Sequence, residues 1–325
     1  MSRSRVLVYR ELPPDQLARI RAEHEVTLAD PSLPEQEAAF FEALGSASGM
    51  IGALYPVGSS LLARAPALRV VSSVSVGLDA YDQAALAARG IVLCHTPGVL
   101  DEAVADLLMG MVLAIGRRIP ELVEHVRTGA WARHVEPDLY GWDVHGKTLG
   151  VLGYGRIGHA VARRAALGFG MPVLYCARSP RASGLPGGAA RQVSLPELLS
   201  ESDFLVVVLP LTEQTRGLLG AAELSLMKPG AFLVNAGRGA VIQEDALVRA
   251  LDAERLRGAA LDVFVTEPLP GESPLRTHPK VLPLPHVGSA THETRHAMAE
   301  MATSNLLMVL RGEPPLAAQP VRPQP

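Results

Sequence analysis

The run Gly150-Val151-Leu152-Gly153-Tyr154-Gly155-Arg156-Ile157-Gly158 constrains this chain more than any other stretch. It reads as a buried strand over 148–152, then G-x-G-x-x-G, then a helix with an Ala/Val/Arg repeat. Gly153 permits the tight turn, Gly155 lets backbone amides approach a pyrophosphate, and Gly158 lets the helix pack close to the strand. The helix N-terminus then presents unpaired N–H groups and a partial positive charge to the phosphates. Three glycines alone say little, since many turns contain them. A strand before and a helix after supply the context of a dinucleotide-binding unit in a parallel α/β sheet.

A site for NAD carries an acid about 20 residues further on, at the end of the second strand, to hold the ribose hydroxyls. That strand is Pro172-Val173-Leu174-Tyr175-Cys176, and Ala177, Arg178, Ser179, Pro180 and Arg181 follow it. No Asp or Glu occurs from Val144 to Pro196. Guanidinium groups suit a phosphate dianion because they donate paired hydrogen bonds. The missing acid together with Arg178, Ser179 and Arg181 predicts a 2′-phosphate site, hence NADPH, with NADH a weaker substitute.

With 325 residues the chain has room for two domains, and an apolar fraction of 48% supplies their cores. Net charge is −3, from 30 basic and 33 acidic residues that are intermixed. No basic tract points to nucleic acid. Cys94 and Cys176 lie far apart in apolar strands and read as small buried hydrophobes. The first residues run straight into the strand Val6-Leu7-Val8-Tyr9 with no signal-peptide stretch. The most apolar helix, 103–115, is too short to span a bilayer and contains Asp106. The expectation is a soluble cytoplasmic α/β enzyme.

Along the first ~95 residues strand and helix signals alternate at the pitch of a parallel sheet. Strands are expected at 5–9, 25–28, 49–54, 68–72 and 91–94, and helices at 14–23, 35–44, 58–64 and 81–89. A long helix runs from Asp101 to about Arg118. Beyond the fingerprint, strands are expected at 204–209, 231–235, 258–262 and 281–284, and a last helix from Glu293 to about Leu310. The tail from Arg311 is Pro-rich and reads as extended. This pattern predicts a Rossmann-type doubly wound cofactor domain, 99–290, inserted in a discontinuous flavodoxin-like substrate domain, 1–98 with 291–325. Ligands of such sheets bind beyond the carboxyl ends of the strands. That places a cleft between the domains, near Ser75-Val76-Gly77, Asn235–Gly239 and Pro285–Ser289.

Three polar residues follow predicted strands there: Arg238, Glu267 and His286. Reduction of a 2-keto acid needs a cation to hold the carboxylate and polarise the ketone, which an arginine fork can do. It needs an acid for the developing alkoxide, and a histidine fits near neutral pH. A carboxylate beside that histidine favours its protonated form and fixes its tautomer. Arg238, His286 and Glu267 fill these roles. Singly, each is more often a surface charge or loop residue; their joint placement downstream of a cofactor motif favours a site.

At these residues the chain resembles the D-isomer-specific 2-hydroxyacid dehydrogenase family over nearly its whole length. The resemblance is carried by Val74-Ser75-Val76-Gly77-Leu78-Asp79, Thr96-Pro97-Gly98-Val99-Leu100, Gly153–Gly158, Leu209-Pro210-Leu211-Thr212, Asn235–Gly239, Leu261–Pro268 and Pro285–Ala290. Within the family it is most similar to bacterial glyoxylate/hydroxypyruvate reductases that also reduce 2-ketogluconate, through 71–79, His95-Thr96-Pro97, 168–172 and 286–295. The resemblance implies Arg238, Glu267 and His286 as the catalytic set. It implies Val76 and Gly77 as amides that bind the substrate carboxylate, Arg156 and Ile157 as part of the pyrophosphate turn, and Asp262 as an acid near the nicotinamide. Pro210, Ala236 and Gly288, inside the matching segments, are expected as further cofactor contacts. Leu54, with Tyr55 and Leu78, is expected to shape the substrate pocket. A homodimer joined through the cofactor domains, with the helix from Asp101 in the interface, is also implied.

Other readings stay open at this level. A bulky 2-keto acid or phosphite could be the substrate in the same fold, as could no substrate at all in a nucleotide-sensing protein. His95 is read as a hinge residue, Asp79 and Asp82 as helix caps, and Trp131 and Trp142 as residues that pack at a dimer contact or help line a substrate pocket, with packing favoured. His292 and His296 are spaced i, i+4, but nothing completes a metal set, so no metal is expected.

Overall fold

The structure, a computed structural model, describes residues 3–53, 55–179, 185 and 190–319. Leu54 and Arg181 therefore lie outside the described residues. The chain divides into two compact units, Met1–Leu100 with Thr291–Pro325, and Asp101–Ala290.

The first unit is built on five parallel strands: β1 Arg5–Val8, β2 Glu25–Leu28, β3 Gly49–Gly52, β4 Val70–Ser73 and β5 Val92–Cys94. Their order is β2-β1-β3-β4-β5, the flavodoxin-like arrangement. Helices α1 Pro14–Glu23, α2 Glu37–Leu44, α3 Ser59–Ala63 and α4 Gln83–Ala88 connect the strands. Their apolar residues and those of the sheet make two cores. One holds Leu7, Tyr9, Phe40, Met50, Val71 and Leu86. The other holds Val6, Val8, Ile51 and Val70 against the unit's last helix. The inner strands β1, β3 and β4, so covered on both faces, read as continuous apolar runs rather than alternating ones, which is why they were legible, whereas the edge strand β2 is largely exposed. The Asp82 carboxylate caps α4 by accepting from Ala85 N at 2.9 Å.

The second unit holds seven parallel strands: β6 Leu149–Leu152, β7 Val173–Cys176, β8 Ala190–Gln192, β9 Phe204–Val207, β10 Ala231–Asn235, β11 Leu256–Leu261 and β12 Val281–Pro283. They run β12-β11-β10-β9-β6-β7-β8, so the strand order reverses between β6 and β9. That is the doubly wound, Rossmann-type order with its topological switch point beside the glycine fingerprint. Helices α5 Asp101–Gly116, α6 Ile119–Arg127, α7 Arg156–Phe169, α8 Leu195–Glu201, α9 Ala221–Leu226 and α10 Glu244–Asp252 belong to this unit. The 20-residue α11 His292–Arg311 returns to the first unit, where Ser72 donates to Ala302 O at 2.7 Å.

The long helix expected from Asp101 to about Arg118 is α5, which ends at Gly116, and α6 beyond it was not expected. Arg118 adopts a left-handed φ of 54°, and Pro120 near the next N-terminus starts α6 afresh. No residue of α6 is buried, although Ile119, Val123 and Val126 share an apolar face. Trp142 packs on Phe232 with ring centroids 5.6 Å apart and carries the Arg257 guanidinium over its ring. Trp131, expected to pack, is 60% exposed in the single chain. In the tail, Ala318 bridges antiparallel to Cys94, and Gln319 N donates to Leu93 O. Burial pushes the Cys94 thiol up to about 12, consistent with an inert packing residue. His296 meets Asp15 at 2.9 Å rather than pairing with His292. Among the described residues no three His, Cys, Asp or Glu are grouped to hold a metal, and no helix is long and apolar enough to cross a membrane.

Candidate active site at the carboxyl edge of the second sheet

Parallel strands end on one edge, so the segments after β6, β7, β9, β10, β11 and β12 share it. After β6, Gly153 has φ 105°, and a Cβ there would sit 2.9 Å from Val208 O. A Cβ on Gly158 would lie 2.2 Å from Gly153 O, so the start of α7 packs onto the turn as closely as a glycine allows. Gly155, by contrast, faces open space. Gly155 is the N-cap of α7 and offers no side-chain cap, so Arg156, Ile157 and Gly158 begin the helix with amides that no capping side chain satisfies. Open backbone, unsatisfied donors and helix dipole together fit a bound pyrophosphate. The Arg156 guanidinium is held by the buried Asp101 at 3.2 Å. After β7, Arg178 and Ser179 are exposed. After β9, Pro210 O accepts from Thr215 Oγ1 at 2.7 Å.

The segment after β10 is wedged in place. A Cβ on Gly237 would lie 2.9 Å from Leu209 O, and one on Gly239 would overlap the Phe264 backbone at 1.9 Å. Asn235 brackets the turn: its Oδ1 accepts from Gly237 N at 3.0 Å and its Nδ2 donates to Arg238 O at 3.1 Å. Ala236 N donates to Val207 O. Arg238 is thus set between the loops after β9 and β11.

Asp262, directly after β11, is buried. Its carboxylate accepts from Val287 N at 2.7 Å and Gly288 N at 2.8 Å. Burial pushes its carboxyl above the ordinary range, and the two amides oppose the shift without cancelling it. A Cβ on Gly288 would come within 3.1 Å of Asp262 Oδ2. His286, at the start of this turn, has φ 55°. A left-handed histidine is strained backbone, and such strain is kept where the surroundings dictate it. Here the turn sends two amides to Asp262 and the imidazole to Glu267.

His286 Nδ1 lies 2.7 Å from Glu267 Oε2, while Glu267 Oε1 accepts from Phe264 N at 2.9 Å. Burial disfavours the ionised Glu267, but the bonds from His286 and Phe264 and the charges of His286 and Arg238 outweigh it. The carboxyl is held below its ordinary range. An ionised carboxylate only accepts, so the proton of this bond sits on Nδ1 and Nε2 is left for other chemistry. The half-exposed ring leaves Nε2 reachable. The geometry therefore joins Glu267 and His286 directly and sets Arg238 near enough to act on Glu267 electrostatically.

Sequence reasoning assigned Asn235, Gly237 and Gly239 no separate task. The signal was present in Asn-Ala-Gly-Arg-Gly, where two glycines flank one arginine, but the backbones they approach are remote in sequence. Val76 and Gly77 belong to the first unit, in the loop after β4.

The family model of the D-isomer specific 2-hydroxyacid dehydrogenase NAD binding domain matches residues 109–288. The chain is similar to glyoxylate/hydroxypyruvate reductase B of Citrobacter koseri, 47% identical over 308 residues that cover 95% of each chain. It is similar in structure to a protein of Thermus thermophilus, with TM-score 0.89, 43% identity, and coverage of 97% of this chain and 99% of that one. It is likewise similar to an NADPH-dependent glyoxylate/hydroxypyruvate reductase of Sinorhizobium meliloti in complex with NADP and malonate. There the TM-score is 0.88 at 34% identity, and all of both chains is covered.

Proposed function

The chain belongs to the D-isomer specific 2-hydroxyacid dehydrogenase family, and from that premise we propose that it is an NADPH-dependent reductase of small 2-keto acids. Glyoxylate, hydroxypyruvate and 2-ketogluconate are the proposed substrates and D-2-hydroxy acids the products. The observation that carries this reading is the Glu267–His286 pair at 2.7 Å, on the edge that also presents Arg238 and the glycine turn. The bound cofactor supplies the hydride. Arg238 holds the substrate carboxylate with a forked pair of donors and polarises the ketone. Protonated His286 delivers its Nε2 proton to the carbonyl oxygen as the alkoxide develops. Glu267 keeps the other ring nitrogen protonated and the ring in one orientation. Asp262 fixes the turn that carries His286. From the first unit, the amides of Val76 and Gly77 are proposed to donate to the substrate carboxylate, with Leu54 shaping the pocket.

For the cofactor, the proposed contacts are Gly153, Gly155, Arg156, Ile157 and Gly158 at the pyrophosphate, and Pro210, Ala236, Asp262 and Gly288 at the nicotinamide end. Arg178, Ser179 and Arg181 are assigned to the 2′-phosphate, which explains why no acid stands after β7. A cytoplasmic homodimer completes the proposal. The apolar face of α6 and the exposed Trp131, Val135 and Tyr140 that follow it are the surface a second copy would cover.

The test is a turnover assay following loss of reduced-nicotinamide absorbance, with NADPH and NADH each offered glyoxylate, hydroxypyruvate, 2-ketogluconate and phenylpyruvate. Fast NADPH-dependent turnover of the first three is expected. Preference for phenylpyruvate overturns the small-substrate assignment, and cofactor binding without any turnover overturns the enzymatic one. Light scattering of the eluting protein checks the dimer.

A further inference from the structure

Within the first unit, four hydroxyls and one carbonyl form a single row of hydrogen bonds. Tyr9 and Tyr81 hydroxyls are 3.1 Å apart, Tyr81 donates to Ser73 Oγ at 2.8 Å, Ser73 and Ser75 Oγ are 2.7 Å apart, and Ser75 donates to Gly77 O at 2.7 Å. The direction follows from the far end. A carbonyl only accepts, and each hydroxyl has one proton. Ser75 therefore gives its proton to Gly77 and must accept from Ser73. Ser73 in turn accepts from Tyr81, and Tyr81 from Tyr9. Every member donates the same way, from the core towards the loop after β4, and such a row polarises cooperatively.

The row starts from a rigid point. Tyr9 directly follows β1 and is fully buried, with its ring edge-on to Phe40 and Tyr55. A Cβ on Gly52 would meet that ring at 2.6 Å, so the glycine makes the space the ring fills. Tyr81 and Ser73 are buried too, which keeps water from competing for their bonds.

The loop end is where the row acts. Three successive carbonyls are engaged by the protein: Ser75 O by Thr96 N at 2.9 Å, Val76 O by the His95 ring at 3.4 Å, and Gly77 O by Ser75 Oγ. In a planar trans peptide the N–H points opposite to the C=O. The amides of Val76, Gly77 and Leu78 sit on these same three peptide units, so each points away from the group that holds its carbonyl. None of the three has a backbone acceptor among the described residues. Successive N–H groups with no such acceptor among the described residues can attract anions.

We propose that the hydroxyl row Tyr9–Tyr81–Ser73–Ser75 is a positioning device that sets the peptide planes of residues 75–78 and thereby the affinity for the substrate carboxylate. The inference rests on the proposed function, in which Val76 and Gly77 receive that carboxylate. Ser75 is its terminal positioning residue. His95 is a second hold on the same loop, a more definite task than a hinge.

The test compares Ser75→Ala, Ser75→Thr and Tyr81→Phe with the unaltered protein. Loss of one bond that steers a charge-binding amide corresponds to roughly a tenfold change. Ser75→Ala is expected to raise the KM for glyoxylate and hydroxypyruvate about tenfold, leaving kcat and the NADPH KM within about threefold. Ser75→Thr, which keeps the hydroxyl, restores the KM. Tyr81→Phe, one bond further back, shifts the KM the same way by a smaller factor. An unchanged keto-acid KM in Ser75→Ala, or a parallel loss of kcat and NADPH affinity, overturns the inference. If the unaltered protein reduces no 2-keto acid, the proposed function fails, and oxalate titration followed by protein fluorescence still reads the loop. Weaker oxalate binding by Ser75→Ala then supports the row as an anion-positioning device, and equal binding overturns it.

Discussion

Replacing Gly158 with alanine tests the glycine turn most directly. The new Cβ would stand 2.2 Å from Gly153 O and 3.1 Å from Val151 Cγ1. The first of these is a backbone atom, so no rotamer change relieves it, and the start of α7 must retreat from the turn by about 1 Å. Such overpacking costs about 1–3 kcal/mol, and alanine in a helix returns at most about 1 kcal/mol. A net loss of about 1–2 kcal/mol in a unit of this size lowers Tm by about 2–8 °C. The same retreat carries the amides of Arg156 to Gly158 away from the phosphates. Losing one charge-assisted bond weakens NADPH binding by about tenfold or more. Two further glycines separate these effects. Gly155 has φ −82°, and a Cβ added there would meet no atom within 4 Å. Gly155→Ala therefore leaves the unliganded Tm unchanged and weakens NADPH binding alone. Gly168, inside α7 and facing open space, gains helix propensity as alanine, worth up to about 1 kcal/mol. Thermal melts with and without NADPH, and titration of NADPH fluorescence, read all three. A wild-type Tm in Gly158→Ala refutes the close approach of helix and turn. Wild-type NADPH affinity in Gly155→Ala refutes the phosphate cradle.

Arg178→Ala is expected to raise the KM for NADPH at least tenfold while that for NADH moves less than about threefold, because only the former carries the 2′-phosphate; equal effects would remove Arg178 from that role. His286→Ala should lower kcat by about 10²–10⁴ with NADPH affinity retained, and near-normal turnover would exclude it as the general acid. Glu267 is held below its ordinary carboxyl value of 4.5, so its ionised form contributes stability that is complete above that value and is lost as pH falls through the lower folded one. The Tm gap between the unaltered protein and Glu267→Gln should therefore narrow on acidification below about pH 4.5; a gap that widens there contradicts the sign of the shift. Asp262→Asn replaces one acceptor oxygen by a donor facing an amide, which should cost about 1–3 kcal/mol in urea unfolding and reduce kcat through the misplaced His286 turn.

Much of the fold could be read from the chain alone. A parallel strand buried on both faces is a short continuous apolar run, and 204–209, of which 204–207 is β9, and 231–235 stood out as such. Because parallel strands end on one edge, the residues after them could be gathered there without knowing a single contact. Arg238, Glu267 and His286 were reached in this way. The edge strand β8, of three residues with one partner, left no such signature. The end of α5 near Arg118 was read in the sequence, whereas α6 beyond it was not, and the left-handed Arg118 between them carries no sequence mark, unlike the left-handed glycines that end α7 and α11. The amphipathic α6 held no clue that its apolar face stays exposed in the single chain.

The alternation of strands and helices, the glycine turn, and the identity of the side chains at strand ends were thus written in the chain, because these depend on neighbours a few residues apart. What holds those side chains was settled by the fold. The Asp262 carboxylate meets amides 25 and 26 residues away, Gly239 meets the backbone of Phe264, and Tyr9 meets Tyr81 across 72 residues. Each of these is a contact between segments that only the folded sheet brings within hydrogen-bond or van der Waals reach. A short-range pattern cannot encode the direction in which such a bond points, and that direction is what sets His286 on Glu267 and turns the amides after β4 away from the groups that hold their carbonyls.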